Sequence, residues 1–424
     1  MMNTFFQKFA LLVRDAQLRN RLLFVLGALA MFRVLAAIPI PGVNAAQLQV
    51  FFANNQFFGL LNLFSGGGLS SLSLVLLGVG PYITASIIMQ LLTIMVPSLK
   101  QLYQEEGELG RQKFSQYSRL ITLPIAALQG FSFILILERQ GVIASLSPFQ
   151  LGVNILVVVA GSMLLMWIGE LISEFGLGNG VSLIIFAGIV ARIPRTASQA
   201  LFSFNTAQLP MYLAFAVAAC AIVAAVVVVN EAERPVPVTY AKRIRGMKTY
   251  GGQSTYLPLR LNQAGVIPII FALSFLLIPQ MFATFFQAST HAWLAASSEF
   301  ILSWLQNLAF YGGVYFVLVV LFTYFYTAVT FDPHAIAENL QKNGAFIPGV
   351  RPGGSTQEYL GKVITRITLV GALFLGIIAV LPIIMQSLSG IQSLTIGGTA
   401  LLIVVSVILD LARRVDAQIS IREY

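Results

Sequence analysis

Ten stretches of the chain are apolar almost without interruption: roughly 21–40, 74–96, 119–138, 151–171, 181–201, 211–230, 265–285, 307–329, 367–387 and 394–412. Each is close to the about 20 residues that a helix needs to cross the hydrocarbon core of a bilayer. None keeps a strict helical stripe, as expected of helices that face both lipid and one another and are therefore apolar on most sides. The pattern predicts an all-α, polytopic membrane protein with ten transmembrane helices. Two connections stand out for length, about 231–264 and about 331–366. Unstructured connections of more than about 12–15 residues are usually functional or disordered, so a docking surface is favoured over a solvated linker.

Charge orients the helices. With the N-terminus inside, 21 of the 25 basic residues fall in cytoplasmic segments; only Arg139, Arg192 and Arg195 fall outside, and Arg33 lies within the first helix. Basic residues resist outward transfer, so both termini are expected in the cytoplasm and the helices in the inner membrane. The first helix reads as an anchor, because Arg33 interrupts its apolar run and Pro39 and Pro41 occupy the place of a cleavage site. The organisation that follows is a cytoplasmic segment 1–20, a first half 21–201, a second half 202–412 with the two long loops, and a tail 413–424. Composition agrees: 57% of residues are hydrophobic and 10% charged, against about 25% charged in soluble chains. One cysteine, Cys220, excludes a disulfide framework and a Cys-rich metal site, and two histidines, His291 and His334, leave little room for imidazole chemistry; no metal or cofactor is expected.

A short motif recurs five helices apart. Gly78-Val79-Gly80-Pro81-Tyr82-Ile83 opens the second helix and Gly265-Val266-Ile267-Pro268-Ile269-Ile270 opens the seventh. Both read G-V-x-P-x-I, and an odd offset inverts the second half relative to the first. Inverted repeats enclose a pathway at their interface. From Pro41 to Leu99 there is no Asp, Glu, Lys, Arg or His, although 57–73 lies outside the membrane by topology. A loop so apolar must pack into something. It reads equally as a movable stopper hinged at Gly66–Gly68 or as a static re-entrant segment. Ile83 and Ile87 share a helix face, and Ile270 stands at the position equivalent to Ile83. Singly, each isoleucine reads as ordinary packing. The symmetry and the neighbouring stopper favour a stiff, dry constriction.

Enzyme signatures are nearly missing. Gly246-Met247-Lys248-Thr249 resembles the end of a phosphate loop, but Ala241 replaces the first glycine. Asp410 has no aspartate partner within a helix, and Glu170 and Glu174 lie at a helix end near water. An inverted-repeat secondary transporter is the nearest rival. It needs ionisable groups near the midplane, and Arg33 is the main one here.

The residues Phe64-Ser65-Gly66-Gly67 and Gly80-Pro81-Tyr82-Ile83-Thr84-Ala85-Ser86-Ile87-Ile88-Met89-Gln90 resemble the signature of the SecY family, the large subunits of bacterial protein-translocation channels. Gly176 to Ser182, Glu231-Ala232-Glu233-Arg234, Tyr240 to Arg243 and Gly344 to Gly353 agree, in order along nearly the whole chain. The resemblance implies two inverted five-helix halves around an hourglass pore. It implies a plug near 57–69, including Phe64, Ser65, Gly66, Gly67 and Gly68. It maps a pore ring onto Ile83, Ile87, Ile185, Ile270 and Ile403, and a lateral gate onto the second, third, seventh and eighth helices. Thr84, Ser86, Gln90, Gln129 and Ser274 are the polar residues expected at that seam. Lys242, Arg243, Arg245 and Arg351 are expected to dock a ribosome or the SecA motor. The implied partners are SecE, SecG, SecA, the ribosome, signal sequences, nascent polypeptides and membrane lipids. The implied activity is passage of unfolded secretory chains, with sideways release of apolar segments into the bilayer.

Overall fold

The computed structural model describes residues 15–40, 68–69, 72–104, 106–139, 141–194, 198, 209–241, 243–245, 248–250, 254–286, 291–389 and 392–422. Its helices are α1 (Ala16–Ala37), α2 (Gly80–Met95), α3 (Pro97–Gln104), α4 (Gly107–Arg139), α5 (Pro148–Phe175), α6 (Gly180–Val190) and α7 (Leu209–Glu231), then α8 (Ile267–Phe286), α9 (Ala292–Gln306), α10 (Leu308–Thr330), α11 (Pro333–Lys342), α12 (Gly354–Ser389) and α13 (Gln392–Arg422). Short strands lie between them: β1 (Glu233–Tyr240), β2 (Arg243–Arg245), β3 (Lys248–Tyr250), β4 (Ser254–Arg260) and β5 (Ala345–Phe346). Each of the ten apolar stretches holds a helix. Among the described residues, α1, α4, α5, α10 and α12 are long and apolar enough to cross a membrane alone. α2 and α3 meet at a bend of 115°, and Gly180–Val190, Ala216–Glu231 and Ile267–Gln280 are shorter apolar helices.

Helix starts are set by local chemistry. The Asp15 carboxylate accepts from the backbone of Gln17 and Leu18 at the head of α1. Ser147 and Gln150 form a reciprocal capping box at α5, where Pro148 takes the first helical position. Asn179, Asn307 and Asp332 cap α6, α10 and α11 in the same manner. One expected boundary moves. Residues 74–79 are a run of turns, and the second helix begins only at Gly80. These turns are fully buried at Val75 and Val79. They are held by Ile40 N–H donating to the Leu72 carbonyl and Leu74 N–H donating to the Ile38 carbonyl, at 2.7 and 2.9 Å. The strong hydropathy of 74–79 thus reflects burial in protein rather than a helical turn in lipid.

Helix pairing repeats along the chain. α1 packs on α6 as α7 packs on α13; α2 on α4 as α8 on α10; α4 on α5 as α10 on α12; α5 on α6 as α12 on α13. The two sets meet where α8 packs on α2 and α4, and where α13 packs on α6. Close approach is achieved with glycine. A Cβ at Gly161 of α5 would run into the Leu74 carbonyl, and one at Gly180 into the Gly169 carbonyl. The atoms met are backbone and cannot rotate away. Gly161→Val should therefore cost about 1–3 kcal/mol, the usual penalty of overpacking. Thermal unfolding in detergent checks this; an unchanged transition would contradict the packing of α5 on 74–75.

The long connections are not structureless linkers. β1 and β4 form an antiparallel hairpin, with Glu233 opposite Arg260 and Thr239 opposite Ser254. β5, from the second long loop, pairs with the end of β1, Thr239 opposite Phe346. The two loops therefore join in one three-stranded sheet. Val236, Val238, Leu259, Ala345 and Ile347 pack beneath it against Leu360, Val363, Ile364 and Ile367 of α12. α12 has 36 residues, about 54 Å at 1.5 Å per residue, so it continues well beyond a hydrocarbon core of about 30 Å to carry this sheet.

Candidate functional site

The repeated motif has the same backbone form at both of its sites. Gly78 and Gly265 lie in the left-handed region, φ +59° and +61°. Only glycine adopts this region freely, which explains its place in both copies. Each helix begins two residues later, with Pro81 and Pro268 at the second helical position. The Val79 carbonyl accepts from Ile83 N–H at 3.1 Å, and the Val266 carbonyl accepts from Ile270 N–H at 3.3 Å. Ile83 and Ile270 are thus equivalent first-turn residues of α2 and α8, two helices in contact.

All five predicted ring residues are buried members of one large apolar core, which also takes in residues of α1, α5, α10 and α12. Ile83, Ile87, Ile185, Ile270 and Ile403 are 8%, 4%, 0%, 6% and 1% exposed. They come from α2, α6, α8 and α13, two helices of each half, and share the cluster with Val79, Leu183, Val266 and Val407. Above it, toward the basic loops, lies a cavity of about 290 Å³ that also touches Leu183, Val266 and Val407. The other walls of this vestibule mix polar side chains, among them Asn179, Ser182, Asn230, Asn262, Asp410 and Arg413, with apolar ones such as Ile267, Leu409 and Leu411.

Sequence reasoning missed the network that holds this vestibule. Asn262 Nδ2 donates to Asn230 Oδ1 at 2.8 Å, and Asn230 Nδ2 donates to Ser406 Oγ at 3.1 Å. Arg413 donates through Nη2 to the Asn230 carbonyl and to Glu231 Oε1, the latter at 2.7 Å. These bonds tie α7, the approach to α8, and α13 into one frame. The only sequence signal was amide and hydroxyl side chains in or beside apolar runs. Glu170, read as a solvated helix-end residue, accepts from Arg119 Nε at 2.7 Å and pins α5 to α4.

The expected gate residues lie on α2, α4 and α8, and α8 packs on the other two. Thr84 Oγ1 donates to the Gly80 carbonyl at 3.1 Å and Gln90 Nε2 to Ser86 Oγ at 3.4 Å. These bonds stay within α2. Ser274 of α8 is buried and Gln129 of α4 is half-buried. Gln90 Oε1 is buried without a hydrogen-bond partner among the described residues. Of the expected plug, Gly68 and Leu69 are buried, and Ser73 Oγ donates to the Gly68 carbonyl at 3.1 Å. Phe64, Ser65, Gly66 and Gly67 lie outside the described residues.

A family model described as SecY matches residues 73–412. The protein translocase subunit SecY of Mycobacterium tuberculosis is 43% identical, over 97% of this chain and 97% of its own length. The chain belongs to the SecY family. The SecY subunit of Thermus thermophilus is 44% identical over 96% of this chain and 94% of that one. Among solved structures, one described as a protein conducting channel aligns with a TM-score of 0.66 at 17% identity, covering 96% of this chain and 93% of that one. Sec61 in a canine ribosome–channel complex aligns with a TM-score of 0.62 at 16% identity, covering 96% and 93%. At these identities the structures show the shared fold: this is a multi-pass helical protein with the architecture of SecY and Sec61 channels.

In this SecY-family chain the expected docking residues lie on a separate two-stranded ribbon, β2–β3, and in the turn after β5. Arg243 and Arg245 lie on β2, opposite Tyr250 and Lys248 of β3; Lys242 lies outside the described residues. Arg351 follows β5 in a turn bracketed by Gly349 and Gly353, φ +84° and +97°. Val350 N–H donates to the Ile347 carbonyl at 3.0 Å, and Thr356 Oγ1 donates to the Arg351 carbonyl at 2.9 Å. The backbone is fixed while the Arg351 side chain is exposed, with no ion-pair partner among the described residues. A preformed turn presenting one free guanidinium suits recognition of a carboxylate or phosphate.

Proposed function

We propose that this chain is the channel subunit of a protein translocase, in which ten helices in two inverted halves conduct unfolded polypeptides through the cluster of Ile83, Ile87, Ile185, Ile270 and Ile403. The observation that carries the reading is that these five isoleucines, from both halves, lie in one buried apolar core below a partly polar vestibule. At rest the cluster is a dry seal; in use its side chains line the passing chain. Apolar segments leave sideways between α2 and α8. That step needs no energy source: Leu, Ile, Phe and Val each favour the bilayer centre by about 0.3–0.6 kcal/mol, so a run of about 20 partitions by itself. Transport through the pore does need a push, and the free Arg351 and the basic β2–β3 ribbon are the surfaces that would receive a ribosome or a motor such as SecA. SecE and SecG are the further subunits expected. The basic loops face the cytoplasm, the termini lie on the same side, and the membrane is the inner membrane.

Cross-linking tests the path. Cys220 is the single cysteine, so Cys220→Ser gives a clean background for Ile83→Cys or Ile185→Cys. A secretory precursor arrested in transit, carrying one cysteine in its middle, is expected to form disulfides with both positions. It should form none with Val317→Cys, which is exposed on α10. Equal cross-linking at Val317 and at the isoleucines would reject the route through the cluster.

A further inference from the structure

α9 joins the end of α8 to the start of α10, at the end of α8 remote from the basic sheet. α8 has 20 residues and α10 has 23, about 30 and 35 Å at 1.5 Å per residue; α10 is long and apolar enough to cross a hydrocarbon core of about 30 Å alone, and α8 packs against it. A helix joining the ends of this pair lies at the level of the bilayer surface. It is fixed there. Asn307 alone separates α9 from α10, closing the first and capping the second, with its side chain accepting from Ala309 and Phe310 N–H. α9 packs on both α8 and α10.

Its two faces differ. Ser298 is buried, and Leu294, Leu302 and Leu305 on the same side are half-buried against the protein. On the opposite side Trp293, Phe300 and Trp304 are 69%, 62% and 47% exposed. Their spacing of seven and four residues sets them in one row along the helix. Phe300 lies tilted against Trp304, ring centres 5.5 Å apart, and Trp304 meets Phe310 of α10 edge-on at 4.7 Å. The row therefore continues onto the outward surface of a membrane-spanning helix, where Phe310, Val317 and Leu321 are also exposed. Two of the chain's three tryptophans are in it. Tryptophan favours the headgroup level of a bilayer because its ring is apolar and its N–H needs a polar partner.

We propose that α9 is an interfacial helix whose Trp293–Phe300–Trp304 face is immersed in the headgroup region of the leaflet opposite the basic loops. Bilayer lipid is the occupant because the face is continuous with the lipid-facing side of α10 and lies at bilayer depth. The face anchors the shared corner of α8 and α10 to that leaflet.

Fluorescence reads this directly. Trp167→Phe with Trp293→Phe leaves Trp304 as the sole tryptophan, and Trp167→Phe with Trp304→Phe leaves Trp293. The full chain is reconstituted into phosphatidylcholine and phosphatidylglycerol vesicles containing phosphatidylcholine brominated either high on the acyl chain or near its end. Both single-tryptophan proteins are expected to lose about half or more of their emission to the shallow quencher and clearly less to the deep one, as ring placement at the interface requires. A protein retaining only Trp167, exposed on α5, serves as the quenched reference within the bilayer. Emission from Trp293 and Trp304 that ignores both quenchers would overturn the proposal, because water or another protein would then cover the face. Stronger quenching by the deep lipid would overturn it equally.

Discussion

Ile83→Gly combined with Ile270→Gly is expected to turn a tight resting membrane into one that conducts small ions. The two side chains stand at equivalent first-turn positions of α2 and α8, and both are buried in the apolar core. An ion crossing an apolar constriction loses its hydration, at an idealised cost of about tens of kcal/mol in a medium of low dielectric. Four-carbon β-branched side chains keep such a gap dry and stiff; glycine leaves room for water and removes the barrier. The change is therefore close to all-or-none. Planar-bilayer conductance of the purified variant measures it. Single replacements should leak less, since the other four isoleucines remain. A double variant as tight as the parent would remove the sealing role assigned to these residues. The variant should also lose stability, about 2–5 kcal/mol for each large side chain deleted from a core. Leak must therefore be recorded at a temperature where thermal unfolding shows it folded.

The second large effect is expected at Arg351. Its turn is held by its own glycines and by Thr356, and the guanidinium contributes nothing visible to the fold. Arg351→Glu should leave the unfolding transition within the about 0.5 kcal/mol typical of exposed positions. It should nevertheless lower precursor transport at least tenfold, because reversing one charge of a desolvated pair costs about 2–5 kcal/mol at an interface. Arg351→Lys should recover only part of the activity, since an ammonium cannot make the paired contacts of a guanidinium. Transport assayed beside thermal unfolding separates the two roles. Equal loss of stability and transport would make Arg351 a structural residue instead.

Much of the fold was legible in the hydropathy pattern, because burial in lipid or in protein demands it at every helix. The motif pair was legible for a sharper reason: a left-handed turn needs glycine, and a helix start accepts proline. Both Gly78 and Gly265 turned out to hold that conformation. What the pattern could not separate was the solvent of an apolar run. Residues 74–79 are as hydrophobic as a helix but are buried turns packed on Gly161. The sheet escaped notice although Val236 and Val238 alternate, as do Leu257 and Leu259. Pro235, Pro237 and Pro258 argued against strands there, since proline is confined to positions that need no ladder donor. The third strand, β5, moreover lies about a hundred residues from β1. α9 was too short and too rich in serine to register as a span. Ile185 and Ile403 entered only through the family resemblance, because nothing in their own apolar runs sets them apart from ordinary packing.

The central claim is that the chain conducts polypeptide. Vesicles containing the purified protein with its partner subunits, a motor, ATP and a secretory precursor give the direct measurement. Precursor protected from added protease inside the vesicles, and lost on omission of ATP, is the predicted result. No protected precursor, together with saturable uptake of a small solute by the same vesicles, would contradict the account and mark the chain as a solute transporter.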